Sequence, residues 1–170
     1  MVTYFTKQLI KSDIYIKPSD ITRDLHQTIY DQLVQKIECK CNDIGYVLKD
    51  SLEIITKSYG IIVNINNVNS VSYKITYTCD IIHPSVGETI LCCIDNITNA
   101  GIIAYVKFSD IIPDYTKQND MEESPVICII PLNRFENTSN LTKGQKISVK
   151  ITAVRNKLNQ SNIHIVGNPV

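Results

Sequence analysis

The side chains best suited to metal or nucleophilic chemistry in this sequence are six cysteines and three histidines. Cys39 and Cys41 are one residue apart and Cys92 and Cys93 are adjacent, whereas zinc-binding cysteine pairs usually have a gap of about two to four residues. The sequence contains no glycine-rich phosphate-binding loop and no nucleophile-elbow motif. We therefore predict no metal, no cofactor and no catalytic residue, and a protein that binds partners without being an enzyme.

The binding of single-stranded nucleic acid is a second chemistry that these residues could support, because it needs a basic groove and aromatic side chains for base stacking. The chain is neutral overall, with 17 basic and 17 acidic residues. Residues 124–170 contain six basic residues and one acidic residue, while residues 85–123 contain two and seven. The candidate RNA-binding residues are Tyr105, Lys107, Phe108, Arg134, Lys146 and Lys150.

The same residues also have a purely structural interpretation. Aromatic side chains in a small barrel often lie inside it, so Tyr105 and Phe108 could be core residues, and the lysines could form a solvated face. The two interpretations remain open from the sequence alone. If RNA binds, we expect weak binding that depends on salt, because the acidic stretch 85–123 repels phosphates from part of the same barrel.

The first half of the chain reads as one helix on a small sheet. Apolar and polar residues alternate from Val71 to Ile81, which predicts a long strand with one buried face, and Pro84 stops it. Pro18 marks a helix start, and a four-residue apolar stripe from Ile21 to Ile37 predicts an amphipathic helix of about five turns. The second half contains five short strands, the pattern of an OB-fold barrel. The predicted fold class is therefore α+β, with an N-terminal domain over residues 1–84 and an OB-fold domain over residues 85–170.

Residues 57–70 form an apolar stretch that ends in an asparagine-rich turn, and we interpret it as a loop. Two readings of its apolar residues remain open. They could continue into the core, or they could be an exposed surface that meets a partner. The candidate docking residues are Tyr59, Gly60, Ile61, Ile62 and Val63.

Two segments that would direct the chain to a membrane are missing from the sequence. No run of about 18 apolar residues is present, and the N-terminus lacks a basic region followed by an uninterrupted apolar one. We therefore expect an intracellular protein with reduced thiols.

Five segments of the chain carry a resemblance to a known family. They are Ile16-Lys17-Pro18, Gly45-Tyr46-Val47-Leu48, Tyr59-Gly60-Ile61-Ile62, His83-Pro84-Ser85-Val86-Gly87-Glu88 and Ser161-Asn162-Ile163-His164-Ile165-Val166-Gly167. In order and spacing, nearly the whole chain resembles the stalk subunit of multisubunit RNA polymerases, also called the seventh-subunit family. An opening strand leads into a proline-started helix, as in that family, and the hinge matches its Pro-x-x-Gly-Glu pattern.

The resemblance implies an accessory subunit of a DNA-dependent RNA polymerase, without an active site of its own. Such a subunit docks on the core subunits through its tip domain, pairs with a second stalk subunit and presents its OB-fold to nascent single-stranded RNA. The alternative is a free-standing OB-fold protein of translation or RNA decay that binds single-stranded RNA.

The sequence departs from the family after Gly101, where the clearer glycine-rich signature of the OB-fold is missing, and over the acidic residues 114–123. This divergence, together with abundant isoleucine, asparagine and lysine, favours the polymerase of a large DNA virus over a nuclear one. The expected location is the virion and the host cytoplasm for a viral protein, and the nucleus for a cellular one.

Overall fold

The structure is a computed structural model that describes residues 5–21, 23–112, 121–134 and 141–170. Its contacts divide the chain into two compact units. The N-terminal unit consists of Lys7–Glu38 and Val47–Ile81, and the barrel unit contains Cys39–Tyr46 and Ile82–Val170. Among the described residues, no helix is both long enough and apolar enough to cross a membrane.

The long central strand of the N-terminal unit is β5 (Val68–Ile82). Four other strands pair with it: β1 (Phe5–Ile16), β2 (Tyr46–Val47), β3 (Glu53–Lys57) and β4 (Ile61–Ile65). Every second side chain of β5 from Tyr73 to Ile81 is buried, which confirms the strand predicted from the alternating sequence. The strand ends just before His83 and Pro84, as the missing amide of proline requires.

The helix α1 (Leu25–Ile37) packs on this sheet through Ile29 and Leu33, which are fully buried. The prediction of a continuous helix from Pro18 was wrong. Pro18–Asp20 form only a short 3-10 turn, and the chain is extended again at Ile21. The α-helix begins where the side chain of Asp24 accepts a hydrogen bond from the backbone N–H of Gln27, because that cap satisfies a donor that would otherwise have no partner.

The segment interpreted as a loop over residues 57–70 is largely a β-hairpin, so the loop interpretation was wrong. Strand β4 pairs antiparallel with the start of β5, from Ile61 opposite Ser72 to Ile65 opposite Val68. Asn66 and Asn67 connect the two strands with φ angles of 51° and 63°. Two successive positive φ angles are typical of the tight turn whose twist matches a hairpin, and asparagine tolerates them better than most residues.

The barrel unit contains a closed barrel of five strands in the order β10-β8-β7-β6-β9. The strands are β6 (Thr89–Ile97), β7 (Gly101–Tyr105), β8 (Val126–Pro131), β9 (Lys146–Arg155) and β10 (Ile163–Pro169). All neighbouring pairs are antiparallel except β8 and β10, which run parallel. The prediction of a five-stranded barrel is thus confirmed, and the barrel fits an OB-fold.

Isoleucine, valine and cysteine fill the interior of the barrel. The inward side chains of its strands include Ile94, Ala104, Cys128 and Ile165, which are in register across four neighbouring strands. A short helix, α2 (Phe108–Ile111), follows β7. The buried hydroxyl of Ser124 lies within hydrogen-bond distance of the carbonyls of Val106 and Val126. These contacts hold the segment before β8 against the residue that follows β7.

Candidate docking and nucleic-acid surfaces

The hairpin of β4 and β5 exposes an unusual amount of apolar side chain. Tyr59 is 94% exposed, Ile62 is 80% exposed and Ile61 is 62% exposed. Val63 is half-buried, and Ile65 and Val68 beside the turn are also exposed. Of the two readings left open by the sequence, the structure places Tyr59, Ile61 and Ile62 at the surface and outside the core of the N-terminal unit.

The exposed isoleucines lie on both faces of the hairpin. Ile61 and Ile62 are successive residues of one strand, so their side chains point to opposite faces. Across β5 they are opposite Ser72 and Val71 respectively. A partner that covers only one face of the hairpin would therefore leave one isoleucine in water, whereas a cleft with two walls would bury both.

Gly60 allows the chain to pass close to β5 just before the hairpin. A Cβ atom at this position would lie 2.6 Å from Cγ1 of Val71 and 2.9 Å from Cε1 of Tyr73. Carbon atoms do not approach this closely, so a larger residue would force the side chains of Val71 and Tyr73, or the chain at Gly60, to shift. Gly60 thus has a packing role at the start of the hairpin, and its place among the docking residues stays a prediction.

The hairpin region is also nearly uncharged, since Lys57 is the one charged residue between positions 54 and 71. Asparagine, serine and threonine make up the rest of its polar surface. A contact made by this surface buries apolar area with little desolvation of charge, which is the favourable case for a protein interface.

The candidate RNA-binding residues of the barrel lie on several elements. Tyr105 ends β7 and is half-buried, Lys107 precedes α2, and Phe108 is the half-buried first residue of that helix. Lys146 and Lys150 lie on β9, and Arg134 ends an exposed 3-10 turn at Leu132–Arg134. Phe135, the aromatic residue that follows Arg134 in the sequence, lies outside the described residues.

The register of the barrel brings some of these residues together. Lys146 is opposite Cys93 on β6, and Cys93 is opposite Tyr105 on β7, so the three residues form one row across three strands. Lys150 lies on the same face of β9 as Lys146, because the two are four positions apart on one strand. No strand pairing brings Arg134 into this row.

Two lysines of the barrel are engaged in ion pairs that the sequence did not reveal. Lys146 Nζ lies 2.6 Å from Asp110 Oδ1, and Lys143 Nζ lies 3.1 Å from Asp95 Oδ1. The side chain of Asp110 is only 16% exposed, and its Oδ2 atom is buried without a hydrogen-bond partner in the described structure. The acidic composition of residues 85–123 was the available signal, but it could not identify which lysine each carboxylate meets.

Three buried thiols are held in their protonated form. Burial raises the pKa of Cys41 to about 11 and that of Cys79, with a smaller contribution from Asp80, also to about 11. A hydrogen bond with Cys128, followed by burial, raises the pKa of Cys92. Thiols with raised pKa values are poor nucleophiles and poor metal ligands near neutral pH. Among the described residues, no three His, Cys, Asp or Glu side chains are grouped to hold a metal ion.

No protein-family model matches this chain. The chain is 26% identical over 175 residues to a protein of Acanthamoeba polyphaga mimivirus that is named "Putative DNA-directed RNA polymerase subunit". The match covers 94% of this chain and 78% of the mimivirus protein. The chain is similar to a viral RNA polymerase subunit. The resemblance to an RNA polymerase subunit that the sequence suggested is thus confirmed, with a relative from a large DNA virus.

Proposed function

We propose that this chain is a non-catalytic stalk subunit of the DNA-dependent RNA polymerase of a large DNA virus. In this proposal residues 1–84 dock on the core subunits, and residues 85–170 form an OB-fold that contacts nascent RNA. The name of the mimivirus relative supports a role within an RNA polymerase. The location that follows is that of the polymerase, namely the virion and the host cytoplasm.

The observation that carries the docking role is the exposed apolar hairpin. Fully burying an isoleucine side chain contributes roughly 1.5–3 kcal/mol. Ile61 is 62% exposed and Ile62 is 80% exposed. A partner that buried both side chains would therefore contribute about 2–4 kcal/mol of binding free energy. The exposure of these residues on both hairpin faces supports insertion into a cleft between core subunits over adhesion to a flat surface.

The support for RNA contact is weaker and comes from the barrel. The row that contains Tyr105 and Lys146 supports a binding face, with Lys107, Phe108, Arg134 and Lys150 as further candidates. The ion pair between Lys146 and Asp110 opposes it, because it neutralises one of the two lysines on β9. A second stalk subunit remains a proposed partner on the strength of the family resemblance.

The docking proposal is tested by co-purification from infected cells. The double variant Ile61→Asp, Ile62→Asp is compared with wild type, each carrying an affinity tag. Burying unpaired carboxylates at an interface costs several kcal/mol, so the variant should recover less than about a tenth of the wild-type amount of core subunits. The matched control is Leu158→Asp, since Leu158 of the barrel unit is also 62% exposed.

Circular dichroism of the isolated chains checks that both variants remain folded. Wild-type yields of core subunits with the double variant would exclude the hairpin as the docking site. Unfolding of the double variant would show that the isoleucines belong to the core. Recovery of RNA without any polymerase subunit by the wild-type chain would favour the free-standing RNA-binding protein.

A further inference from the structure

Strand β1 presents an edge that no other strand covers in the part of the chain that the structure describes. It stands at the end of the strand order, where β5 is its neighbour on one side. The strand is 12 residues long and contains neither proline nor glycine. Long, regular edge strands offer a row of unpaired backbone groups to which another chain can add a strand.

A side chain from helix α1 shows which backbone groups of β1 face this edge. Lys36 Nζ donates to the backbone carbonyl of Asp13 at 2.9 Å and to Ser12 Oγ at 3.3 Å. We take this contact to place the carbonyl of Asp13 at the open edge, on the side away from β5. Backbone direction alternates along a strand, so the N–H and C=O groups of Lys7, Leu9 and Lys11 point outward as well. Lys36 caps the edge at Asp13, and within the described part of the chain no strand pairs with Lys7, Leu9 and Lys11 on this side.

The side chains beside these outward groups alternate in character. Lys7 and Lys11 flank Leu9, which is 63% exposed, and Tyr15 on the same face is 47% exposed. Lys7 Nζ lies 3.9 Å from Glu53 Oε2. Both side chains of this pair are mostly exposed, so the pair leaves the lysine charge largely available. A strand laid along this edge would meet positive, apolar and positive side chains in turn.

A groove runs beside the far end of the edge, between β1 and α1. Its floor is the buried Ile14, and its walls are Asp13, Tyr15, Gln32, Gln35 and Lys36. In an added strand, successive side chains alternate between two faces, and one set lies on the face of Leu9. That set would meet the two lysines and Leu9, while the groove lies further along the edge, beside residues 13–15.

We propose that the edge of β1 binds an extended segment of another polypeptide by strand addition. The segment carries acidic, apolar and acidic side chains at alternate positions, opposite Lys7, Leu9 and Lys11. The charge of these lysines selects an acidic strand. This proposal rests on β1 and α1 only and does not depend on docking of the hairpin to a polymerase.

The test uses an end-blocked heptapeptide in which glutamate, valine and glutamate alternate with threonine, titrated into the whole chain at low salt. Fluorescence anisotropy measures the affinity, and a peptide with lysine in place of glutamate is the charge control. The decisive variant is Leu9→Pro, because proline removes an outward N–H without touching the bonds to β5. Leu9→Val keeps that N–H and is the matched control.

We expect Leu9→Pro to weaken binding of the acidic peptide at least about tenfold and Leu9→Val to change it less than about twofold. The lysine peptide should bind at least about tenfold more weakly than the acidic one. Amide exchange should slow on binding at Lys7, Leu9 and Lys11. If Leu9→Pro does not fold, amide exchange in the wild-type chain still tests whether the peptide pairs with the edge of β1.

Three results would overturn the proposal. The first is the absence of binding by the acidic peptide, and the second is binding that leaves the exchange of these three amides unchanged. The third is a wild-type dimer that Leu9→Pro dissolves, because the edge would then pair with a second copy of this chain. Equal affinity for the glutamate and lysine peptides would show that the edge does not select an acidic segment.

Discussion

Replacement of Glu38 by glutamine should stabilise this protein at neutral pH and lose that effect in acid. Glu38 follows the last residue of α1, and its side chain is only 8% exposed. Its Oε1 atom is buried and has no hydrogen-bond partner in the described structure. A negative charge at this position also faces the negative end of the helix dipole.

These surroundings disfavour the ionised carboxylate. Burial raises the pKa of Glu38 above its ordinary value of 4.5, and the charge of Asp50 adds to the rise. A hydrogen bond from the backbone of Asp50 and the charge of Lys49 oppose it in part. An unsatisfied buried polar group costs about 1–3 kcal/mol. We expect a gain near the lower limit, about 1 kcal/mol, because the amide nitrogen of glutamine also needs a partner.

The direction of the pH dependence follows from the raised pKa. A carboxyl with a raised pKa in the folded state contributes stability that is fully present below its unfolded value, and this contribution is lost as the pH rises through the folded pKa. The unfolding free energy of wild type should therefore approach that of Glu38→Gln as the pH falls from neutral toward 4.5, the ordinary pKa of this carboxyl. Below that value, the difference in unfolding free energy between the two proteins should disappear.

Urea unfolding followed by circular dichroism, at about pH 7.5 and about pH 4, measures this difference. The matched control is Glu53→Gln on β3, where the side chain is 67% exposed. The control should change the unfolding free energy by less than about 0.5 kcal/mol at both pH values. A variant at Glu38 that is less stable than wild type at neutral pH would refute the reasoning, and an effect independent of pH would assign it to packing.

Three further predictions concern the barrel and the hairpin. Asp110→Asn should release Lys146 from its ion pair, so single-stranded RNA should bind several-fold more tightly. The log–log slope of the binding constant against salt concentration should steepen by about 0.7 for one added phosphate contact, and an unchanged slope would exclude Lys146 from the RNA face. The amount of core subunits that co-purifies with wild type should change less than about twofold between about 0.1 and 0.5 M salt, because the hairpin region contains one charged residue. A steep loss of core subunits with salt would indicate an electrostatic interface elsewhere on the chain. Gly167→Ala should destabilise the chain by about 1–3 kcal/mol in urea unfolding, since a Cβ atom there would lie 2.3 Å from Cγ1 of Val149 and 2.7 Å from the carbonyl oxygen of Lys150. If the variant were as stable as wild type, β9 and β10 would be able to move apart at little cost.

Features that depend on local periodicity could be predicted from the amino-acid sequence. Alternation along Val71–Ile81 defined the buried face of β5 before any partner strand was known, because side chains of a strand alternate between two faces. The number of barrel strands followed from the same period and from the turns between them. The ordered motifs from Ile16 to Gly167 also indicated an RNA polymerase subunit, and the mimivirus relative agrees with it.

Local signals were less reliable where two of them compete. Pro18 and the apolar stripe after it indicated an early helix start, but the cap at Asp24 sets the first turn. The residues around Gly60 looked like a loop because they carry no alternation of apolar and polar types. A strand that is exposed on both faces has no such alternation, so periodicity could not detect β4.

Features that depend on residues far apart in the chain became visible only in the folded protein. Lys146 and Asp110 are 36 residues apart, and their ion pair forms because barrel closure brings β9 beside the segment after β7. The place of β1 at the sheet edge likewise follows from strand order, and Glu38 is buried beside Asp50, which lies 12 positions further along the chain. Composition records how many charges a segment has, but pairing and exposure are set by long-range contacts, which no local pattern in the sequence encodes.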